Sequence, residues 1–244
     1  MSNNREMILG IPVDTYLMDE FVSEIERRLS FSDINTIFAV NAEKIMGARK
    51  DPELLMAIQE ANFLIPDGIG PVVGLRLIHQ KRVHRTTGIM LMERLLDLAV
   101  KEEFKVFLFG ARPEVNRLAT ENILIRYPSI KIVGAQHGYI SNKEYRPLIN
   151  RINTLKTDIL FVGLGSPKQE KWIHNYKKSL KVKICMGIGG SLDIIAGRAS
   201  RAPLMFQTLG LEWLYRLIKE PARFKRQLVL PKFVLKVLKE KISS

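Results

Sequence analysis

The sequence predicts an α/β fold: a Rossmann-like, mostly parallel sheet flanked by helices, followed by a short helical C-terminal appendage. Three observations lead there. From about residue 7 to residue 200, short apolar runs alternate with longer amphipathic ones, the rhythm of strand, helix and strand. Several short runs are apolar at nearly every position, as in Ile159-Leu160-Phe161-Val162, which suits strands covered on both faces. Glycine and proline fall where strands end and helices open.

The elements follow in order. Met7 to Val13 reads as a strand and residues 17–30 as a helix. Thr36 to Val40 is the next strand, with a helix over 42–60. Phe63-Leu64-Ile65-Pro66 is a short strand, and Asp67-Gly68 leads to a helix starting near Gly70. A helix over 88–101 precedes the strand Phe104 to Phe109. Gly110-Ala111-Arg112-Pro113 closes that strand and opens a helix over 113–127, with proline at an early helical position. Ile130 to Ala135, Asp158 to Leu164 and Val182 to Ile188 complete the strands, with helices over 142–155 and 167–177 between them. Near residue 200 the strands stop, and Pro203, Pro221 and Pro231 divide the remainder into short helices. The expected division is an α/β core over 1–200 and a basic amphipathic appendage over 201–244.

Composition narrows the class. Apolar residues make up 46% of the 244 and charged residues 26%, neither a disordered chain nor a membrane-embedded one. No apolar stretch approaches the roughly 20 residues that cross a bilayer, and the N-terminus carries no signal-type segment. The single cysteine, Cys185, rules out an internal disulfide and lies in an apolar run. It reads as a core residue in a reducing, cytoplasmic setting. The net charge of +13 is uneven: nine bases and two acids lie between Arg216 and Lys241.

In open parallel sheets, ligands bind at the carboxyl ends of strands. The residues there are Asn41, Asp67-Gly68, Gly110 to Pro113, Gly165 to Gln169 and Gly187 to Asp193. The turns Gly110 to Glu114 and Gly187 to Asp193 offer backbone N–H groups to a phosphate, though each alone also reads as an ordinary strand-to-helix turn. Neither matches Gly-x-Gly-x-x-Gly, and no Gly-x-x-x-x-Gly-Lys-Ser/Thr occurs, so a nicotinamide enzyme and a P-loop nucleotidase lose ground. Asp67 is placed to act as a general base or, equally, to cap the next helix. No Asp-x-Asp occurs, and His79, His84, His137 and His174 lack metal-ligand spacing; no metal is expected. Arg85 follows Lys81 and Arg82 in a basic loop, which reads as a solvated run or as a fork for a diphosphate. In the appendage, Arg216, Lys219, Arg223 and Arg226 interleave with Trp213, Tyr215, Leu217, Ile218 and Phe224. Such a stripe suits an anionic lipid surface. Nucleic acid is the rival, disfavoured by the aliphatic content, and a packed helix or oligomer interface is the plainer alternative.

Taken together, these turns resemble the WecG/TagA/CpsF family, glycosyltransferase family 26. The matching pieces are Asn41-Ala42-Glu43, Pro66-Asp67-Gly68, Gly163 to Trp172, Gly187 to Gly197, Arg201-Ala202-Pro203 and Gly210 to Leu217. The run Pro167-Lys168-Gln169-Glu170-Lys171-Trp172 with Gly210-Leu211-Glu212-Trp213-Leu214-Tyr215-Arg216 is the specific part. The resemblance implies an inverting transferase that needs no metal or other cofactor. It implies a UDP-sugar donor and a polyprenyl-diphosphate-linked acceptor at the inner face of a bacterial membrane. Products would feed teichoic acid or related polysaccharides. By match, Asp67 is the general base, and Asn41, Arg85 and Gln169 line the site. Gly110, Ala111, Gly187, Gly189, Gly190 and Asp193 hold the nucleotide-sugar. Arg216, Arg223 and Arg226 approach the lipid diphosphate. The expected protein is peripheral on the cytoplasmic face of the membrane and binds no nucleic acid; homo-oligomerisation stays open. Ala39 stands where many teichoic-acid members carry threonine, and Leu192 where phenylalanine is usual. Ala39 removes a hydroxyl near the donor sugar, so N-acetylmannosamine, glucose, galactose and N-acetylmannosaminuronate all remain open. The reading from another class is a non-catalytic basic protein on membrane or nucleic acid.

Overall fold

A computed structural model describes residues 4–31, 33–81, 83–200, 202–203, 205–206, 211–219 and 228–243. The fold is α/β, as expected. Strands β3 (Asn35–Val40), β4 (Phe63–Pro66), β5 (Lys105–Gly110), β6 (Lys131–Gln136), β7 (Ile159–Gly163) and β8 (Ile184–Gly187) form a six-stranded sheet. Its order is β4-β3-β8-β7-β5-β6. The pairs β3/β8, β8/β7, β7/β5 and β5/β6 are parallel, so these five strands have their carboxyl ends on one rim. Helices α1 (Met18–Arg28), α2 (Ala42–Ala48), α3 (Pro52–Gln59), α4 (Ile69–His79), α5 (Gly88–Lys101), α6 (Pro113–Arg126), α7 (Tyr145–Thr154), α8 (Lys168–Tyr176) and α9 (Ser191–Ile195) connect the strands.

Three expectations change. Met7 to Val13 is not one strand. It is an antiparallel hairpin of β1 (Arg5–Ile8) and β2 (Ile11–Asp14). The turn residues Leu9 and Gly10 both have positive φ, 51° and 78°, the twist that two-residue hairpins favour. Residues 42–60 are two helices. Asp51 caps the second through its Oδ1, which accepts from Leu54 N–H at 3.1 Å, and Pro52 opens it. Pro231 divides nothing: it sits in the first turn of a single helix, Val229–Ser243, where a missing N–H breaks no bond. Pro221 lies outside the described residues.

The chain forms two compact units. The first comprises residues 1–20, 39–87 and 201–244, the second 21–38 and 88–200. In the first, the C-terminal helix packs on α4 and α2 through Phe233 and Val237, both buried. Gly70 and Gly74 let α4 lie close to α2 and the hairpin: a Cβ on Gly74 would stand 2.2 Å from Ile8 Cδ1, and one on Gly70 2.9 Å from Ala42 Cβ. Glu240 accepts the Leu9 N–H at 2.9 Å, tying the helix to the hairpin turn. In the second unit, Phe107, Phe109, Leu160, Phe161, Val162, Ile184, Cys185 and Met186 are fully buried. Burial pushes the Cys185 thiol pKa up. Trp172 packs between Phe109 and Tyr176 and fastens α8 to the sheet. Among the described residues, no helix is long and apolar enough to cross a membrane.

Candidate active site

In the first unit, Asn41 and Asp67 follow the carboxyl ends of β3 and β4. The Asp67 N–H donates to Val40 O at 2.9 Å, so the two residues leave neighbouring strands side by side. Asn41 is the N-cap of α2, and its Oδ1 accepts from Lys44 N–H at 2.8 Å. The amide Nδ2 is the donor that the cap does not use. Asp67 is half-buried and precedes the cap of α4. Gly68 takes the cap position itself, with φ 81°, a conformation that L side chains disfavour. A Cβ there would meet nothing within 4 Å, so the glycine answers to the backbone turn alone.

Arg85 reaches the same rim. The N–H of Thr86 donates to Pro66 O at 3.0 Å, which holds the Arg85 segment against the end of β4. The Arg85 guanidinium pairs with Glu212 on the helix Glu212–Lys219. Their side chains are only 17% and 20% exposed. Glu212 is a partner that the sequence quotes only as part of a motif. Lys44 was missed altogether. It is 6% exposed, and its ammonium donates to the Ala39 carbonyl. Read along the sequence, Glu43-Lys44 looks like a solvated helix face; no local signal marks it as buried.

The second unit gathers the glycine turns. At the end of β5, Ala111 takes a positive φ of 58° and donates its N–H to Gly163 O at 2.9 Å. A Cβ on Gly110 would stand 2.3 Å from that same oxygen, so only glycine fits. Asn116 closes the turn, its Nδ2 donating to Gly110 O at 3.0 Å and Gln136 O at 3.2 Å. At the end of β8, the Gly189 N–H donates to Gln169 Oε1 at 2.9 Å. Gln169 Nε2 donates to Glu170 Oε1 at 2.8 Å. Gly189 has φ 54°, and Gly190 precedes α9, whose first turn carries the half-buried Asp193. The N–H groups of Arg198 and Ala199 donate to the Asp193 carbonyl at 2.9 and 3.0 Å and hold that turn.

Asn41, Asp67 and Arg85 are therefore brought together in the first unit. Gly110, Ala111, Gln169, Gly187, Gly189, Gly190 and Asp193 are brought together in the second. Arg216 lies on the Glu212–Lys219 helix, and Arg223 and Arg226 lie outside the described residues. Half-buried Asp67 is a carboxylate at a strand end with an arginine and a buried lysine nearby in the fold. Such a set offers a proton acceptor and cations for an anionic leaving group. Among the described residues, no three His, Cys, Asp or Glu side chains group to hold a metal ion.

Comparison with known proteins gives the family. A family model described as the glycosyl transferase WecG/TagA/CpsF family matches residues 6–244. The chain is 36% identical over 236 residues to the N-acetylglucosaminyldiphosphoundecaprenol N-acetyl-beta-D-mannosaminyltransferase of Bacillus subtilis strain 168, covering 96% of this chain and 91% of that one. It is equally 36% identical over 236 residues to the protein of the same description from Staphylococcus aureus strain MRSA252, covering 96% and 92%. The match takes in the strand-end motifs of both units, and the chain belongs to the glycosyl transferase WecG/TagA/CpsF family.

Proposed function

We propose that this glycosyltransferase moves a hexose or N-acetylhexosamine from a UDP-sugar to a polyprenyl-diphosphate-linked sugar, by inversion and without a metal ion. It would serve bacterial teichoic acid or related cell-surface polysaccharide synthesis. The observation that carries this reading is the match over 96% of the chain to enzymes named for the acceptor N-acetylglucosaminyldiphosphoundecaprenol. The N-acetylmannosaminyl group in the same names makes N-acetyl-D-mannosamine the first sugar to test.

The chemistry is a single displacement. The Asp67 carboxylate takes the proton of the acceptor hydroxyl as that oxygen attacks the anomeric carbon. The bond from that carbon to the diphosphate breaks, and its electron pair leaves on UDP. Arg85 meets the growing phosphate charge. A guanidinium has five N–H donors, so pairing with Glu212 and with a phosphate oxygen are compatible. The backbone N–H groups of the Gly110-Ala111 and Gly187 to Gly190 turns hold the donor, with Asp193 beside them. Asn41 presents its amide to the sugar. Gln169 serves the donor through the Gly189 turn.

Residues 201–244 act as the membrane-association segment. The outer face of the Val229–Ser243 helix supports this: Leu235 and Ile242 are 67% and 86% exposed, among exposed Lys232, Lys236, Lys239 and Lys241. Apolar residues rimmed by lysine suit the headgroup region of an anionic leaflet. Arg216, Arg223 and Arg226 then serve the acceptor's diphosphate, and the enzyme works at the inner face of the membrane.

A donor panel tests the function. UDP-linked N-acetylmannosamine, N-acetylglucosamine, glucose, galactose and N-acetylmannosaminuronate are each offered with an N-acetylglucosaminyl-diphosphate lipid in the presence of a chelator. The expected product is one lipid-linked disaccharide, with UDP released. Absence of transfer from every donor would contradict the reading, as would transfer that the chelator abolishes.

A further inference from the structure

The contacts of Gln169 point away from a substrate-facing role. Its side chain is buried at 3% exposure, and Glu170 beside it is fully buried. One end of the Gln169 amide accepts from the Gly189 N–H at 2.9 Å, and the other donates to Glu170 Oε1 at 2.8 Å. A backbone N–H only donates and a carboxylate only accepts. The amide between them therefore has one permitted orientation. Its flank is occupied as well: a Cβ on Gly187 would stand 2.9 Å from Gln169 Nε2 and 3.2 Å from its Cδ. A side chain on Gly187 would crowd the Gln169 amide. The two sides of the turn are held by other bonds: Ile188 N–H donates to Val162 O at 2.9 Å, and Ser191 Oγ donates to Ile188 O at 2.7 Å. Gln169 is the side chain that takes the Gly189 N–H at its centre, where φ is 54°.

We infer that Gln169 and Glu170 are a positioning pair: Glu170 orients the Gln169 amide, Gln169 fixes the Gly187 to Gly190 turn for the donor diphosphate, and neither touches substrate. The inference rests on the donor reading above, which puts the UDP-sugar on this turn. It differs from the expectation carried by the family resemblance, in which Gln169 lines the site.

A charge-swap cycle tests it. In Gln169→Glu, two carboxylates meet where an amide and a carboxylate met, and the link to Glu170 becomes repulsive. In the double variant Gln169→Glu/Glu170→Gln, residue 169 accepts from Gly189 N–H and from the new amide. The chain is whole again with one link reversed. UDP affinity by calorimetry and steady-state kinetics are measured for native protein, both single variants and the double. Gln169→Glu is expected to weaken UDP binding by about tenfold or more, and the double variant to recover to within about threefold of native. Glu170→Gln, the mildest change, is expected to raise the donor KM about threefold or more with kcat within about twofold. A double variant that melts like the native protein yet binds UDP no better than Gln169→Glu would overturn the inference, because the amide would then be needed for the substrate itself. If Gln169→Glu fails to fold, Glu170→Gln decides: an unchanged donor KM overturns the pair's role. Failure of the native protein to bind UDP would overturn the donor reading, and with it the pair; native binding with an unrestored double variant overturns the pair alone.

Discussion

Asp67 is the residue proposed as the base, and its spacing in the sequence allows two roles equally. The backbone bears on the capping role. Gly68 takes the cap of α4 at φ 81°, leaving Asp67 outside the helix at the end of β4. As the proposed base, Asp67→Asn should leave UDP binding nearly intact and lower turnover by about two orders of magnitude or more. Neighbouring residues were less legible. Glu212 stands 127 positions from Arg85, and no local pattern reports a pairing at that separation. Lys44 has the sequence context of a surface helix and is buried all the same. Cys185 was readable, because an apolar run around a lone cysteine leaves little else. Its thiol is buried with its pKa pushed up, so a thiol reagent at pH 8 should leave the native protein unlabelled and modify one site on unfolding. Fast labelling of the native protein would contradict that burial.

At the scale of elements, the sequence misjudged punctuation rather than type. A continuous apolar run hid the Leu9-Gly10 turn, since both faces of the hairpin residues Ile11 to Val13 are buried and no alternation survives. Asp51-Pro52 was overlooked as a cap followed by an opening proline, and so two helices read as one. Pro231 was taken as a divider although a first turn accepts proline without loss. The C-terminal helix shows its two faces most clearly. Phe233→Ala should cost about 3–5 kcal/mol of stability in urea unfolding, as a buried aromatic removed from a packed contact does. Leu235→Ser/Ile242→Ser should leave that stability within about 0.5 kcal/mol and weaken binding to anionic vesicles. Truncating the segment would confuse the two effects, because Phe233 and Val237 are part of the first unit's packing. Unchanged vesicle binding in the double serine variant would show that the outer face does not meet lipid.

Across the whole molecule, the parallel sheet was legible because strands buried on both faces carry apolar residues at every position, as β7 does. Strand order was not, since periodicity describes a strand's faces and not its neighbours. The two units interleave along the chain, a grouping that composition does not reveal. The strand-end residues, in contrast, were found almost completely from sequence, because a parallel sheet puts its turns on one rim and the glycines mark them. As proposed, Asp67 drives metal-independent transfer from a UDP-sugar. The most direct measurement compares native protein and Asp67→Asn with the productive donor and lipid acceptor under chelator, following UDP release and the anomeric configuration of the product by NMR. The expected product is inverted relative to the donor, with UDP release slowed about a hundredfold or more in the variant although UDP binding persists. Retention of configuration, or near-native turnover by Asp67→Asn, would contradict it.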